Sequence, residues 1–351
     1  MKKIAFVFPG QGSQYVGMGK DFYDKLDGVK KLYHEASEIL GYDVADLSFN
    51  GPAEELNKTY RAQPCILIAS ISAYTALISK KIKPSIVAGH SLGEYSALVA
   101  AGSISFKDAV KLTEMRGRIM QDEVPEGKGL IAAVLGLERK AIDDICSEIS
   151  DENSNFQGYV SVANYNCPGQ IVISGEKAAV QLAMERAKKA GAKKVVPLTL
   201  TVPPHCRLME NAGKRFEVVL KNFNIKNTKI SLVTNTDAKI VSKAKDIRKS
   251  LVIQLSNPVL WEDCVKTVIG KKINDFIEVG PGKVLTGLIK RIESSSRTFN
   301  VDNMEALSRT VAELKTSRKI SVPKFNKVVE KFRKPATSWY PRYSWEGDMG
   351  G

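Results

Sequence analysis

Gly89-His90-Ser91-Leu92-Gly93 sets a serine between two glycines in the G-x-S-x-G spacing of a nucleophile elbow. Ile86 to Ala88, just before it, is short and apolar enough for the end of a buried strand. Glu94 to Ala101, just after it, carries Ala and Leu at helical spacing. Strand, sharp turn and helix in that order would raise the Ser91 hydroxyl to a helix N-terminus. There the Leu92 N–H and the helix dipole favour negative charge. Side chains at positions 89 and 93 would collide with the flanking strand and helix, which accounts for both glycines. The competing reading is a Gly-rich turn holding an ordinary serine, and the two flanks argue for the nucleophile.

A serine nucleophile needs a base, and the chain holds three histidines, at 34, 90 and 205. His90 precedes Ser91 on the elbow, so its side chain should project away from it. His34 falls in the amphipathic helical stretch Asp21 to Leu40. His205, in Val202-Pro203-Pro204-His205-Cys206, is left as the candidate by elimination, with a structural loop histidine as the alternative. The two prolines predict a constrained loop under either reading. Two more places stand out. Arg116-Gly117 interrupts the helical pattern Phe106 to Gln121, which suggests backbone room beside something the guanidinium grips; a solvated arginine is the plain alternative. Pro9-Gly10-Gln11-Gly12 is either a plain turn or a tight loop whose N–H groups face a ligand.

These residues need a scaffold. Ile4 to Phe8 reads as a first buried strand, Cys65 to Ser79 as an apolar helix, and Ile82 to Leu98 as the strand and helix of the elbow. From Gly129 the pattern becomes β-α-β-β-α-β: Gly129–Gly136, Glu138–Ile149, Tyr159–Asn164, Gln170–Ser174, Glu176–Ala190 and Lys193–Pro197. Strands and helices resume downstream, at Ile230–Thr234, Ile247–Leu255, Trp261–Gly270, Asp275–Val279, Leu285–Ile292, Thr298–Val301 and Met304–Leu314. The expected fold is α/β. A hydrolase-like large domain with a parallel-sheet core (1–127 and 198–314) carries an inserted ferredoxin-like small domain (128–197), with the site in the cleft between them. A C-terminal extension follows at 315–351.

At 351 residues the chain can bury a sizeable core, and its 43% hydrophobic content is ordinary for a globular protein. No uninterrupted apolar run in the sequence approaches the roughly 20 residues of a membrane span. The apolar start stops at Pro9 with no small-residue cleavage site after it, so it reads as a strand and not a leader. Five scattered cysteines without C-x-x-C spacing suggest neither a disulfide framework nor a zinc site, and suit a reducing cytoplasm. The net charge of +14 points to an acidic partner. The basic residues are dispersed and no nucleic-acid motif accompanies them, so nucleic acid is not expected.

Six motifs in order complete the reading: Phe8-Pro9-Gly10-Gln11-Gly12-Ser13-Gln14, Gly89 to Tyr95, Arg116-Gly117, Asn164-Tyr165-Asn166-Cys167-Pro168-Gly169-Gln170, Pro203-Pro204-His205 and Glu278-Val279-Gly280-Pro281-Gly282. Together they resemble the malonyl-CoA:acyl carrier protein transacylase family, over roughly residues 1 to 314. The resemblance implies a ping-pong transfer without cofactor or metal: malonyl-CoA would acylate Ser91, assisted by His205. The phosphopantetheine thiol of an acidic acyl carrier protein would then take the group. By family pattern the Gln11 and Leu92 N–H groups form the oxyanion hole, and Arg116 pairs with the malonyl carboxylate, as its planar fork suits. The resemblance further implies that the Gln254 carbonyl orients the histidine, making a dyad with no Asp, and that Gln63 is a supporting polar residue. A monomer with no stable membrane association is expected.

Pro204 departs from the Ser or aromatic residue usual before the histidine, which leaves malonyl against branched malonyl open; Leu92 favours malonyl. The rivals are a trans-acting polyketide acyltransferase, a serine hydrolase or thioesterase on the same elbow, and a non-catalytic carrier-docking module. In the extension, Phe325, Val328, Val329 and Phe332 form an apolar stripe among Lys324, Lys327, Lys331, Arg333 and Lys334. It reads as a docked basic helix steering the carrier protein, with a disordered tail or a membrane-surface helix as alternatives.

Overall fold

The computed structural model describes residues 3–125, 127–151, 156–198 and 202–319. The predicted helix at Phe325–Phe332 lies outside them. Residues up to 311 form one compact unit; from Ala312 a second unit begins, of which the described part is the end of the Met304–Lys319 helix.

Two sheets organise the large unit. The strands are β1 (Ala5–Phe8), β2 (Ile86–Gly89), β3 (Gly129–Leu135), β4 (Val160–Cys167), β5 (Gln170–Glu176), β6 (Lys194–Pro197), β7 (Ser231–Val233), β8 (Ile240–Val241), β9 (Asp275–Val279) and β10 (Arg297–Val301). The first sheet runs β10-β9-β1-β2-β7-β8, parallel throughout except for β8 at its edge. Parallel strands need cover on both faces, and β1 and β2 are buried at every position. Ala5, Val7, Ile86 and Ala88 pack with Trp261, Val265, Leu285 and Ile289 on one face. Phe6 and Phe8 meet Tyr74 of the Thr59–Ser79 helix on the other.

The second sheet, β4-β5-β3-β6, is antiparallel, with helices Arg139–Ser150 and Lys177–Lys189 between its strands in the expected β-α-β-β-α-β order. Period-2 alternation divides its faces. Ala132, Val134, Val160, Val162, Ile171 and Ile173 pack on the two helices, whereas Ile131, Ala133 and Val172 turn the other way and line a cleft.

Several elements differ from the sequence reading. Asp21–Leu40 is two helices, Lys20–Lys25 and Asp27–Leu40, broken where Leu26 is extended (φ −130°, ψ 107°). Asp27 sits in the first turn of the second, where the dipole favours an acid. The apolar helix begins at Thr59, six residues before Cys65, with Pro64 inside it. At the sixth helical position Pro64 cannot donate to the Tyr60 carbonyl and its ring crowds that oxygen, a cost met by the burial of the helix around it. By length and apolarity this helix matches a membrane span, yet 78% of its most apolar window is buried within the protein, as in a core helix. Short helices at Val44–Asn50 and Ala53–Asn57, the Glu210–Leu220 helix and strand β8 were not expected from the sequence.

Gly117 also has a reason other than the expected one. A Cβ there would lie 2.5 Å from the Tyr60 Cα and 2.9 Å from the Thr59 carbonyl oxygen. The glycine makes room for a neighbouring helix and not for a ligand. That close crossing brings Arg116 to Gln63 on the Thr59–Ser79 helix. Gly117→Ala must spread the two helices or strain both, at about 1–3 kcal/mol. Thermal melting should show a Tm several degrees lower; an unchanged Tm would mean the helices separate freely.

Candidate active site

The elbow forms as its two glycines require. Ser91 sits at φ 51°, a strained left-handed conformation for a residue with a Cβ. A Cβ on Gly89 would run into the Gly93 backbone, and one on Gly93 into the Phe8 carbonyl. The strain is held from outside the turn. Asn235, just past β7, accepts the Ser91 N–H on Oδ1 at 2.7 Å and donates Nδ2 to the Gly89 carbonyl at 2.7 Å.

His205 arrives from the proline-bracketed loop, itself at φ 60° and 2% exposed. Its Nδ1 lies 2.7 Å from the Gln254 carbonyl, which can only accept, so that nitrogen carries the proton. Nε2 therefore holds the lone pair, and it faces Ser91 Oγ at 2.8 Å. Burial first, and then the neighbouring Arg116 cation, push the imidazole pKa down to about 3. A base form stable so far into acid should keep Ser91 acylation from declining between about pH 8 and pH 5. An acid limb near the ordinary histidine value, in single-turnover rates, would contradict this environment.

Arg116 is 1% exposed. Nη1 donates to Gln63 Oε1 at 2.8 Å; Nη2 donates to Gln254 Oε1 at 3.0 Å and to Ser91 Oγ at 3.3 Å. Nε has no hydrogen-bond partner, and the Tyr95 ring lies 5.4 Å from the guanidinium carbon. Burial lowers its pKa, which is the mark of a cation held short of solvation.

A cavity of about 310 Å³ joins these groups, lined by the Pro9–Ser13 loop, the elbow, Arg116, Pro204, His205 and the cleft face of the second sheet. Among the described residues, neither the Gln11 nor the Leu92 N–H has a backbone or side-chain acceptor, and both residues line the cavity. Gly10 lets the first loop close over the elbow, since a Cβ there would strike the His90 carbonyl. Every site residue expected from the sequence thus meets in one place: Ser91, His205, Gln11, Leu92, Arg116, Gln63 and Gln254. His90 also lines the cavity but turns away from Ser91, to Asn166 Oδ1 at 2.8 Å, and His34 is exposed outside the cavity.

The chain matches the acyl transferase domain family over residues 5–331, beyond the residue 314 at which the quoted motifs and their elements end. It is 43% identical over 315 residues to the malonyl CoA-acyl carrier protein transacylase of Bacillus subtilis, covering 90% of this chain and 98% of that one. It belongs to the malonyl-CoA-acyl carrier protein transacylase family. The Escherichia coli K12 protein of that name is 47% identical over 293 residues, 83% of this chain and 93% of its own. Among solved structures, the acyl carrier protein S-malonyltransferase of Vibrio cholerae superimposes with a TM-score of 0.85 at 42% identity, covering 88% of this chain and all of that one. A malonyl-transacylase solved with its type II PKS acyl-carrier protein gives 0.86 at 43% identity, over 89% of this chain and all of that one.

In this member of the family the structure adds three residues that the sequence reading did not nominate. Asn235 is the elbow's brace. Glu94, fully buried, accepts the Asn235 N–H (3.2 Å) and Gln254 Nε2 (2.8 Å) on Oε2. Asn166 ties the second sheet to the elbow through His90. Glu94 and Asn166 fall inside quoted motifs but carried no assigned role there, a glutamate in the first turn of a helix being an ordinary sight; Asn235 lies in none of the motifs.

Proposed function

We propose that this chain transfers a malonyl group from malonyl-CoA to the phosphopantetheine thiol of an acyl carrier protein. Ser91 Oγ attacks the thioester carbonyl while its proton passes to His205 Nε2. The carbonyl oxygen takes the negative charge beside the Gln11 and Leu92 N–H groups. Collapse expels the CoA thiolate, which takes the proton from His205, and leaves a malonyl-serine ester. The carrier thiol repeats the sequence in reverse roles and frees Ser91. Residues 128–197 serve as a small domain that walls the acyl cavity, and Gln254 and Gln63 hold the base and the guanidinium in place.

One observation carries the reading: a buried guanidinium with an unpartnered Nε stands 3.3 Å from the nucleophile and forms no ion pair among the described residues. A carboxylate two bonds beyond the acyl carbonyl is the group that fits it. Fatty-acid synthesis is the proposed pathway, in a cytoplasmic monomer; the five free cysteines, all buried, fit a reducing compartment. Intact-mass measurement after mixing with malonyl-CoA should show one added malonyl group, removed on adding holo-carrier protein. Rapid loss to water without carrier dependence would make the chain a hydrolase instead.

A further inference from the structure

Acyl transfer leaves one electrostatic question open at Arg116. A buried cation needs compensation, and the cost of leaving it without any is several kcal/mol. The buried carboxylate coupled to it is Glu94, 0% exposed and one amide away. Gln254 is the link: Oε1 accepts from Arg116 Nη2 at 3.0 Å and Nε2 donates to Glu94 Oε2 at 2.8 Å. Counting this chain's own groups, the site therefore holds one guanidinium and one carboxylate.

Binding a substrate carboxylate changes that count to one cation and two anions, with Arg116 and Glu94 both buried. Two carboxylates sharing one buried charge do not both stay ionised; one of them rises in pKa and protonates. The substrate carboxylate would gain direct, charge-assisted bonds from the guanidinium, so it is the one to remain ionised. Glu94 is the other, and its Oε1 has no hydrogen-bond partner.

We propose that Glu94 is the resident counter-ion of Arg116, and that it takes up a proton on Oε1 when a substrate carboxylate occupies the guanidinium. One O–H bond forms, the proton comes from bulk solvent, and it returns there when the acyl group leaves. Glu94 has this role only if Arg116 meets the substrate carboxylate as proposed above. The surroundings agree. Burial lifts the Glu94 carboxyl to about 7. The Asn235 N–H, Gln254 and Arg116 pull it down, and Asp237 in the loop after β7 pushes it up. Burial first, and its charge after that, raise the Tyr95 hydroxyl on its own helix and the Cys264 thiol on the Trp261–Gly270 helix. At neutral pH a carboxyl so placed changes state for a small input of free energy.

The test is calorimetric binding of malonyl-CoA and acetyl-CoA to the full-length Ser91→Ala chain at pH 7.5, in buffers of different ionisation enthalpy. Both ligands carry the same CoA phosphates, so the difference between them reports the acyl carboxylate. Malonyl-CoA should take up about half a proton or more beyond acetyl-CoA. In the Ser91→Ala/Glu94→Gln chain that difference should vanish. Equal proton counts for the two ligands in the Ser91→Ala chain overturn the role of Glu94, and they do so even if the second variant fails to fold. A difference that survives Glu94→Gln places the proton elsewhere and overturns it equally. Failure of malonyl-CoA to bind the Ser91→Ala chain at all is a distinct result, and overturns the acyl-transfer reading itself.

Discussion

Ser91→Ala leaves the fold intact and abolishes the malonyl adduct, while His205→Ala forms the adduct slower by about four orders of magnitude or more. The first result follows from the turn. Alanine keeps the Cβ and loses only the hydroxyl, so the φ of 51° and the Asn235 brace on the 91 N–H are retained. The second follows from the proton. Without an imidazole at 2.8 Å, Ser91 Oγ keeps a hydrogen-bond donor in Arg116 Nη2 and has no base. A guanidinium cannot accept the proton. Quenched-flow acylation with malonyl-CoA, read by intact mass, separates the two variants from the parent. A near-parental adduct rate in His205→Ala would remove the histidine from the reaction, and a full adduct on Ser91→Ala would place the acyl group elsewhere.

The chemistry of this site was more legible in the sequence than its support. The elbow announces itself because its constraints are local: two glycines, a preceding apolar strand and a following helix are consecutive in the chain. His205 is found by elimination among three histidines, which works only because the chain is so poor in them. Gln254 is different. Its carbonyl is 49 residues from the histidine it orients, and nothing in Val252-Ile253-Gln254-Leu255 distinguishes it without the family pattern.

The asparagines of β4 show a further limit. Ala163 turns to the cleft side with Ile131 and Val172, and strict alternation from it would send Tyr165 there next and Asn164 to the helix side. Register shifts between Val162 and Asn164, and between Tyr165 and Cys167, instead aim Asn164 and Asn166 into the cavity. Bulges leave no periodic trace, so the strand read from sequence stopped at Asn164, three residues short. The same strand bonds Val259 of the large sheet's surroundings, with Val259 N–H to the Ala163 carbonyl at 2.9 Å and Tyr165 N–H to the Val259 carbonyl at 3.0 Å. A contact between residues nearly a hundred positions apart, made by backbone alone, has no side-chain signature to read.

Arg116→Ala separates the substrates. Malonyl transfer should fall by a factor of roughly 30 to 5,000, the equivalent of about 2–5 kcal/mol for a desolvated charge-assisted pair. Acetyl transfer should hold level or rise, because an acetyl group has nothing for the guanidinium to meet. Two side effects of the deletion need separating from this. Gln63 and Gln254 each lose a donor, so some loss common to both substrates is expected from a loosened pocket. Arg116→Lys controls for it: lysine restores the positive charge without the planar fork, and should recover malonyl transfer only in part. The base responds as well. Arg116 is the second cause, after burial, of the low His205 pKa, so its removal should let that pKa rise and bring an acid limb into the acetyl-transfer profile. Steady-state rates with the two thioesters across pH 5–8 measure all three effects at once. Equal falls for malonyl and acetyl, with no change in the ratio between them, would make Arg116 a prop of the fold and remove the carboxylate from the reading of this site.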